Sequence, residues 1–447
     1  MSVVPARALV VGLGITGQAV ARALVQRGST VTATDDSATD ARREAAAAVG
    51  ATWVEPPTTP EGWADLIGGH DGVVPSPGIP ERHPLFAAAP AVGVPLRSEF
   101  DLAAEWDPRP VVLITGTNGK TTVTMWVTEM LVASGRRAVP CGNLDVPLVE
   151  AIDDPDTEVF VVEASSFRLT YATAHRPLVA TWLNLAPDHL DVHLDLAGYE
   201  AAKARVWRNH ATTPGSLAVA NADDPAVMAH APPGTRTQTF GLEHPADWYV
   251  AEGRLRGPDG LALASVDELE RSLPHDQANA LAAAASALGA GATLEGIRTA
   301  LGTFRGLPHR VELVGEAGGV RWYDDSKATA PHATVAALSG FESAVLIAGG
   351  RNKGLDLGAL VASVPHLRAV VGIGDAAGEV AAAFEGRLPV VTATSMDQAV
   401  ELAAGLALEG DAVVLSPACA SFDWYRSYGE RGDDFQRAVR EHLAVGA

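Results

Sequence analysis

Cysteine is nearly absent from this sequence of 447 residues. Cys141 and Cys419 are the only two, too few for a disulfide framework, and they fit a reducing compartment. Positive charge is also scarce, with 33 Lys and Arg against 54 Asp and Glu and a net charge of −21. Nucleic acid and anionic membrane surfaces need broad positive potential, so neither is expected as a partner, although local clusters can still bind small anions. No apolar run reaches the ~18 residues of a membrane span. Near the N-terminus, Ala8-Leu9-Val10-Val11 followed by Ala19-Val20-Ala21 imitates a secretion signal. Gly12, Gly14, Thr16, Gly17 and Gln18 interrupt it and Arg22 follows, so a strand, a turn and an amphipathic helix explain the stretch better. A cytoplasmic location is expected. No repeat period is present.

What is there is organised around Val111 to Thr122. Val111-Val112-Leu113-Ile114 reads as a buried parallel strand, Thr115 to Gly119 as a glycine turn, and Val123, Trp126, Val127, Met130 and Leu131 lie at helical spacing. A helix N-terminus offers amides without intrahelical partners and a dipole that favours negative charge. Gly116 and Gly119 let the backbone close on phosphate oxygens, Lys120 adds a point charge, and Thr121 offers a hydroxyl to Mg²⁺. The usual spacing would need glycine at Ile114, so this is a compact variant of the phosphate loop. We read it as a nucleoside triphosphate site.

At the N-terminus, a strand over residues 8–12 ends in Gly12-Leu13-Gly14-Ile15-Thr16-Gly17, and a second strand, Thr30–Thr34, ends in Asp35-Asp36. This is the dinucleotide-binding pattern with its acid about 20 residues on. Three readings stay open here: NAD, another pyrophosphate-linked nucleotide with Asp35 accepting from a uracil N–H or a ribose hydroxyl, or a close-packed turn that binds nothing. Ser76-Pro77-Gly78 follows an apolar strand and either lines a ligand or simply turns. Pro108 and Pro110 mark a nearby boundary.

Further on, Val159–Val162 ends in Glu163, where Mg²⁺ or a reacting water would sit beside a phosphate loop. Asp188, His189, Asp191 and His193 place four potential ligands in six residues and look like a metal site, a pattern also common without metal. Tyr199 to Ala211 reads as an alanine-rich helix carrying Lys203, which in isolation looks like a solvated surface lysine. Residues 235–265 read as a small antiparallel patch and Leu273 to Leu288 as an alanine helix. The last third alternates strands (Val320–Tyr323, Val345–Ala348, Ala369–Ile373, Ala412–Leu415) with helical segments, and polar motifs follow those strands.

Together these motifs resemble the Mur ligase family, the ATP-dependent amino-acid-adding enzymes of peptidoglycan synthesis, over nearly the whole chain. Thr115 to Thr122 is similar to the family's ATP signature, which folylpolyglutamate synthases share. Asp324-Asp325-Ser326-Lys327-Ala328-Thr329 and Ser416 to Asp423 resemble the D-glutamate-adding members. The resemblance implies an α/β chain of three domains. These are a Rossmann-like UDP-sugar domain (1–98), a central P-loop ATPase-like mononucleotide-binding domain with the antiparallel patch (99–306), and a Rossmann-like amino-acid domain (307–447). It implies ATP, two Mg²⁺ ions and a carbamylated Lys203 as cofactors. UDP-N-acetylmuramoyl-L-alanine and D-glutamate would be the substrates of a monomer.

By residue, it implies ATP contacts from Gly116, Thr117, Asn118, Gly119, Lys120, Thr121, Thr122, Asn279, Arg310 and Asp325. The UDP substrate would meet Gly14, Ile15, Thr16, Asp35, Ser76, Pro77, Gly78, Asn143 and His189. Lys327, Thr329, Lys353, Ser421 and Phe422 would hold the amino acid. Metal would fall to Thr121, Glu163, His189 and the Lys203 carbamate, and catalysis to Lys120, Glu163, His189, Lys203 and Lys327. Asp276, Ala330, Asp36 and Ser37 depart from the family pattern at positions that bear on fine adenine and uracil contacts. A carbamate forms only on a neutral amine, and roughly one lysine in 2,500 is neutral at pH 7 when its pKa is ordinary. The site must therefore lower the pKa of Lys203 by burial or nearby cations. Two other functions remain: a different ligase of the superfamily, including one adding L-glutamate, and an NAD-binding dehydrogenase or nucleotide sensor resting on Gly12–Gly17 and Asp35 alone.

Overall fold

The computed structural model describes residues 3–189, 192–209, 212–233 and 236–445, so Asp191 and the expected helix end at Ala211 lie outside the described residues. The fold is α/β, and the chain divides into two compact units. One is Met1–Leu269 with Gln277–Phe304; the other is Glu270–Asp276 with Arg305–Ala447.

The first unit holds two parallel sheets and a small antiparallel one. Strands β1 (Arg7–Val11), β2 (Thr30–Thr34), β3 (Thr52–Trp53) and β4 (Gly72–Pro75) pair in the order β3-β2-β1-β4. All three pairings are parallel, as right-handed crossovers through helices require. The next sheet comprises β5 (Val111–Thr115), β6 (Ala138–Gly142), β7 (Val159–Glu163), β8 (Val179–Trp182), β9 (Leu217–Asn221) and β10 (Thr237–Phe240) in the order β10-β9-β8-β5-β7-β6. β7 and β8 are buried along their whole length and apolar except for the terminal Glu163 and for Thr181, as suits a sheet covered by helices on each side. β11 (Tyr249–Ala251), β12 (Arg254–Arg256) and β13 (Ala262–Ser265) form the antiparallel patch, which is shorter than the expected 235–265 because Thr237–Phe240 pairs parallel with β9 instead.

The second unit carries β14 (Glu312–Ala317), β15 (Val320–Asp324), β16 (Ala344–Gly349), β17 (Leu367–Ile373), β18 (Val390–Thr392) and β19 (Ala412–Leu415), ordered β14-β15-β19-β16-β17-β18. Its edge strand β14 runs antiparallel to β15, so this sheet is mixed. β14 escapes sequence reading because an edge strand lacks a continuous apolar face; its burial is only partial and Gly315 sits at a register shift.

One helix differs from its sequence pattern, and a second agrees with it. The helix bearing Lys203 spans Leu196–Ala204, capped by the Asp195 carboxylate accepting from Gly198 N–H at 2.7 Å, and then tightens into a short 3₁₀ turn over Arg205–Trp207. The Arg205 carbonyl accepts from the His175 ring at 2.9 Å, and Trp207 Nε1 donates to the Ala180 carbonyl at 2.9 Å; these tertiary bonds replace further helical turns. The alanine helix Pro274–Gly289 buries Ala280, Ala282, Ala283, Ala284, Ala285 and Ala287 completely. Small side chains let it approach the sheet, where Thr181 and Ser286 hydroxyls share a hydrogen bond of 2.7 Å.

In the first glycine turn, a Cβ on Gly17 would lie 1.8 Å from the Gly12 carbonyl oxygen, backbone that has no rotamer to escape through. Gly17→Ala is expected to destabilise the protein by about 2 kcal/mol, within the range for overpacking. Urea denaturation showing a loss under 0.5 kcal/mol would contradict this close approach.

Candidate active site

The glycine turn after β5 is held from behind. Asn184 Oδ1 accepts from the N–H groups of Thr117 at 3.0 Å and Asn118 at 2.8 Å. Thr117 Oγ1 accepts from Ala186 N–H at 2.9 Å and lies 3.1 Å from the Tyr199 hydroxyl. The Thr117 and Asn118 amides and the Thr117 hydroxyl therefore fix the loop's shape. Anion binding falls to the helix end, where Gly119 sits at φ 82° and no side chain caps the helix Lys120–Ala133. Both glycines are sterically required. A Cβ on Gly116 would come within 2.9 Å of Leu183 Cβ, and one on Gly119 within 2.5 Å of Asn279 Oδ1, which places Asn279 against the loop.

Two lysines reach one carbonyl. Lys120 Nζ donates to Gly116 O at 2.9 Å and to Thr117 O at 2.8 Å, and Lys203 Nζ donates to the same Gly116 O at 2.7 Å. Lys203 is 1% exposed and its Nζ lies 4.5 Å from the centre of the Tyr199 ring. Burial first, and the charge of Lys120 second, push its pKa well below the ordinary lysine value, against weaker opposition from Asp188 and Glu163. The solvated surface lysine suggested by the local sequence is thus a buried one.

Glu163 ends β7 beside this pair. Its Oε1 accepts from Asn143 Nδ2 at 2.9 Å, while Oε2 is buried without a hydrogen-bond partner. Asn143 N–H also donates to the Glu163 carbonyl at 2.8 Å, a close approach that Gly142 permits at φ 95°. A buried carboxylate oxygen without a donor suits a hard cation. A neutral lysine nitrogen does not, unless it acquires oxygens.

The Asp/His loop divides its residues by role. His193 is buried with both ring nitrogens engaged, Nδ1 by Glu81 Oε1 and Nε2 by Ser166 Oγ, each at 2.8 Å. It pins the loop and has no nitrogen left for a metal. His189 is partly exposed, held in the left-handed region at φ 55°, with its ring edge-on to Phe167 at 4.8 Å and its Nε2 3.3 Å from Asp188.

In the N-terminal turn, Asp35 faces inward. Its Oδ2 accepts from Leu13 N–H at 2.7 Å and its Oδ1 from Ser37 N–H at 2.9 Å, with Arg42 Nε 3.4 Å away. The Thr16 hydroxyl accepts from Arg168 Nη2 at 2.8 Å, and Arg168 forms a buried ion pair with Glu99. Gly14 and Gly78 border open space, Ile15 is 69% exposed, and Ser76 Cβ packs where Gly12 would carry a side chain.

In the second unit, Asp325 is buried, accepts from Ser416 Oγ at 2.7 Å, and its pKa is raised to about 7 by burial, with the Arg310 charge opposing. Lys327 Nζ lies 5.4 Å from the Tyr428 ring centre, and Lys353 Nζ 5.4 Å from that of Phe422, which is 55% exposed near buried Ser421. Thr329 is exposed. Asp276 pairs with Arg271 Nη2 at 2.6 Å, and its other oxygen is buried without a partner. Sequence reading missed Arg431. Buried on the helix Tyr428–Val445, it donates from Nε to Ser326 Oγ at 2.9 Å, from Nη2 to Ser326 O at 2.8 Å and from Nη1 to Cys419 O at 3.1 Å. It ties together the two polar motifs that follow β15 and β19, and no local pattern announces it.

Three family models match the chain: "Mur ligase MurD-like, N-terminal domain" at residues 6–98, "Mur ligase middle domain" at 114–287, and "Mur ligase, glutamate ligase domain" at 309–419. A UDP-N-acetylmuramoylalanine–D-glutamate ligase of Frankia casuarinae is 44% identical, covering 97% of this chain and 93% of that one. Its namesake from Thermobifida fusca is 38% identical over 97% and 98%. Among solved structures, a pseudomurein peptide ligase type C from Methanothermus fervidus matches with a TM-score of 0.59 at 17% identity, covering 97% of this chain and 99% of that one. The UDP-N-acetylmuramate-alanine ligase of Thermotoga maritima gives 0.55 at 18%, covering 98% and 99%. At such identities the structures speak for the fold alone.

The buried carboxyl of Asp325 gives a pH signature. Its folded pKa of about 7 lies above the ordinary carboxyl value, so the native state holds a proton the unfolded chain releases. Stability should fall as pH rises from about 4 to about 7 and level off above that. Asp325→Asn should flatten that slope in the ligand-free protein; an unchanged slope by chemical denaturation would show that Asp325 ionises normally.

Proposed function

The chain belongs to the Mur ligase family, and we infer from its relatives and its phosphate loop that it joins D-glutamate to UDP-N-acetylmuramoyl-L-alanine with hydrolysis of ATP to ADP. The observation that carries the chemistry is the convergence of Lys120 and Lys203 on Gly116 O beside the unpartnered oxygen of Glu163. The reaction is an ADP-forming amide ligation in peptidoglycan precursor synthesis, and it uses ATP and Mg²⁺. An NAD-binding reading leaves the phosphate loop and both C-terminal motifs without a purpose.

In this reading the Gly119–Thr122 helix end and Lys120 hold the ATP phosphates, and Lys120 turns from the loop carbonyls to the transferring phosphoryl group. The L-alanine carboxylate attacks the γ-phosphorus, giving an acyl phosphate and ADP. The glutamate amine adds to the acyl carbon and loses a proton, and collapse of the tetrahedral intermediate expels phosphate and leaves the amide. Thr121, Glu163, His189 and Lys203 would hold Mg²⁺, which when bound offsets negative charge on the phosphates. Lys203 does so as a carbamate: its neutral Nζ adds CO₂, losing a proton, and gains two oxygens. Gly14, Ile15, Thr16, Asp35, Ser76, Pro77, Gly78, Asn143 and His189 take the UDP substrate, with Asp35 also bracing its turn through Leu13 and Ser37 N–H. Lys327, Thr329, Lys353, Ser421 and Phe422 take the glutamate carboxylates, while Asn279, Arg310 and Asp325 complete the ATP contacts. Domain boundaries at 98/99 and 306/307, a monomer and a cytoplasmic location belong to the same reading. Among the described residues no helix is long and apolar enough to cross a membrane.

ADP release should require both the UDP-muramoyl-L-alanine substrate and D-glutamate. Release with L-glutamate or alanine in its place, and none with D-glutamate, would reverse the assignment. Lys203→Ala should lose most activity at intact fold, and acetate or formate should restore part of it where chloride at equal ionic strength does not. Full activity without rescue would remove the carbamate from the mechanism. Lys353→Ala should raise the KM for glutamate and spare that for ATP, as loss of a ground-state contact does.

A further inference from the structure

The central sheet of the first unit carries a second cavity at the opposite strand ends from the phosphate loop. Val111, the first residue of β5, and Phe160, the second of β7, line it, whereas the loop follows Thr115 at the other end of β5. Its volume is about 310 Å³. Phe100, Leu148, Ile152 and Phe160 give it apolar walls. Two polar side chains among its lining have a buried atom with no hydrogen-bond partner: His175 Nδ1 and Thr213 Oγ1. Neither belongs to the site described above.

We propose that this cavity is a binding site for a neutral, flat heteroaromatic molecule of one to two rings carrying an N–H or O–H donor. Three observations select that chemistry. Size comes first: a dry cavity of ~150 Å³ holds benzene, so twice that volume takes a fused bicyclic ring. The polar code comes second. His175 is 4% exposed, and its Nε2 engages the Arg205 carbonyl at 2.9 Å, which makes Nε2 the protonated nitrogen and leaves Nδ1 a lone pair that only a donor can satisfy. Burial also pushes its pKa down, so it stays uncharged. Charge comes third. Asp107 and Arg109 at the cavity pair at 2.6 Å, and Arg109 spends its remaining donors on the carbonyls of Ile152, Asp154 and Thr157, so that pair has no net charge to offer a ligand, while Arg176, the third charged residue of the lining, is solvent-exposed. Water could satisfy the two orphaned atoms, but it would wet four large apolar side chains.

The test uses the full chain with indole as probe and benzothiophene as its isostere without the donor. Calorimetric or ligand-observed NMR titration should show indole binding once per chain, at least fivefold tighter than benzothiophene. Ala104→Phe, on the helix Glu99–Trp106 that lines the cavity, should weaken indole at least tenfold and leave ADP release unchanged. Thr213→Val, which removes only the hydroxyl, should weaken it severalfold. Saturating Mg·ATP should not displace indole. The proposal is overturned by absence of saturable binding, by equal affinity for the two probes, by an Ala104→Phe affinity equal to that of the unmodified chain, or by competition with ATP.

Discussion

Two ammonium groups cannot share one carbonyl comfortably, and much of the first unit follows from that constraint. Lys120 and Lys203 both donate to Gly116 O, which puts their nitrogens within about 6 Å of each other, where two unit charges would repel by roughly 3 kcal/mol at an effective dielectric of about 20. Lys120 is part-buried at the mouth of the loop; Lys203 is 1% exposed. Desolvation and repulsion act in the same direction on the deeper group, so of the two it is Lys203 whose ammonium form is disfavoured. The group so disfavoured as a cation lies within reach of the Glu163 charge, and Glu163 keeps one oxygen without a donor. The same constraint explains why Thr117, Asn184 and Tyr199 are spent on bracing the loop, since its carbonyls must stay fixed for both lysines to reach one oxygen.

The two polar motifs of the second unit show the same economy by other means. Arg431 reaches from the C-terminal helix to Ser326 and to the Cys419 carbonyl, and its burial draws its pKa down to about 10. Gly432 follows because a Cβ there would lie 2.2 Å from His309 Nδ1, the atom that bonds Asp324 at 2.7 Å. The helix can come that close only with glycine at the contact. His309, Glu312 and Asp324 lie near enough together to suggest a metal cluster, but Gln436 and the His309 amide already donate to the two carboxylates. Hydrogen bonding accounts for that group fully.

What could be read from the sequence was whatever is written locally. Strand, glycine turn and helix follow each other within 25 residues at both nucleotide-type turns, and the apolar runs of buried parallel strands are continuous; hence β1, β2 and β5 and the helix after the phosphate loop emerge from spacing alone. Identity of the reaction came from motif resemblance, since no periodicity separates a UDP-sugar turn from an NAD turn. Roles set by distant partners were not legible. Asp35 reads from spacing as a ligand-facing acid, but spacing gives no sign that its oxygens also accept from the Leu13 and Ser37 N–H groups. His193 looks like a metal ligand until Glu81 and Ser166, more than a hundred and nearly thirty residues away, occupy its ring. The helix beyond Ala204 was over-extended for the same reason, because the His175 bond to the Arg205 carbonyl has no signature in the residues around Arg205.

The protonation state of Lys203 is the hinge of this account, and it can be measured without turnover. Protein labelled with ¹⁵N at lysine Nζ, held free of CO₂, nucleotide and divalent metal, should show one resonance, absent from Lys203→Met, that passes from the ammonium to the amine position at lower pH than the other lysines. Lys203 remaining an ammonium up to pH 10 would contradict the account, because the buried nitrogen beside Lys120 would then carry a charge and could not form the carbamate proposed for it.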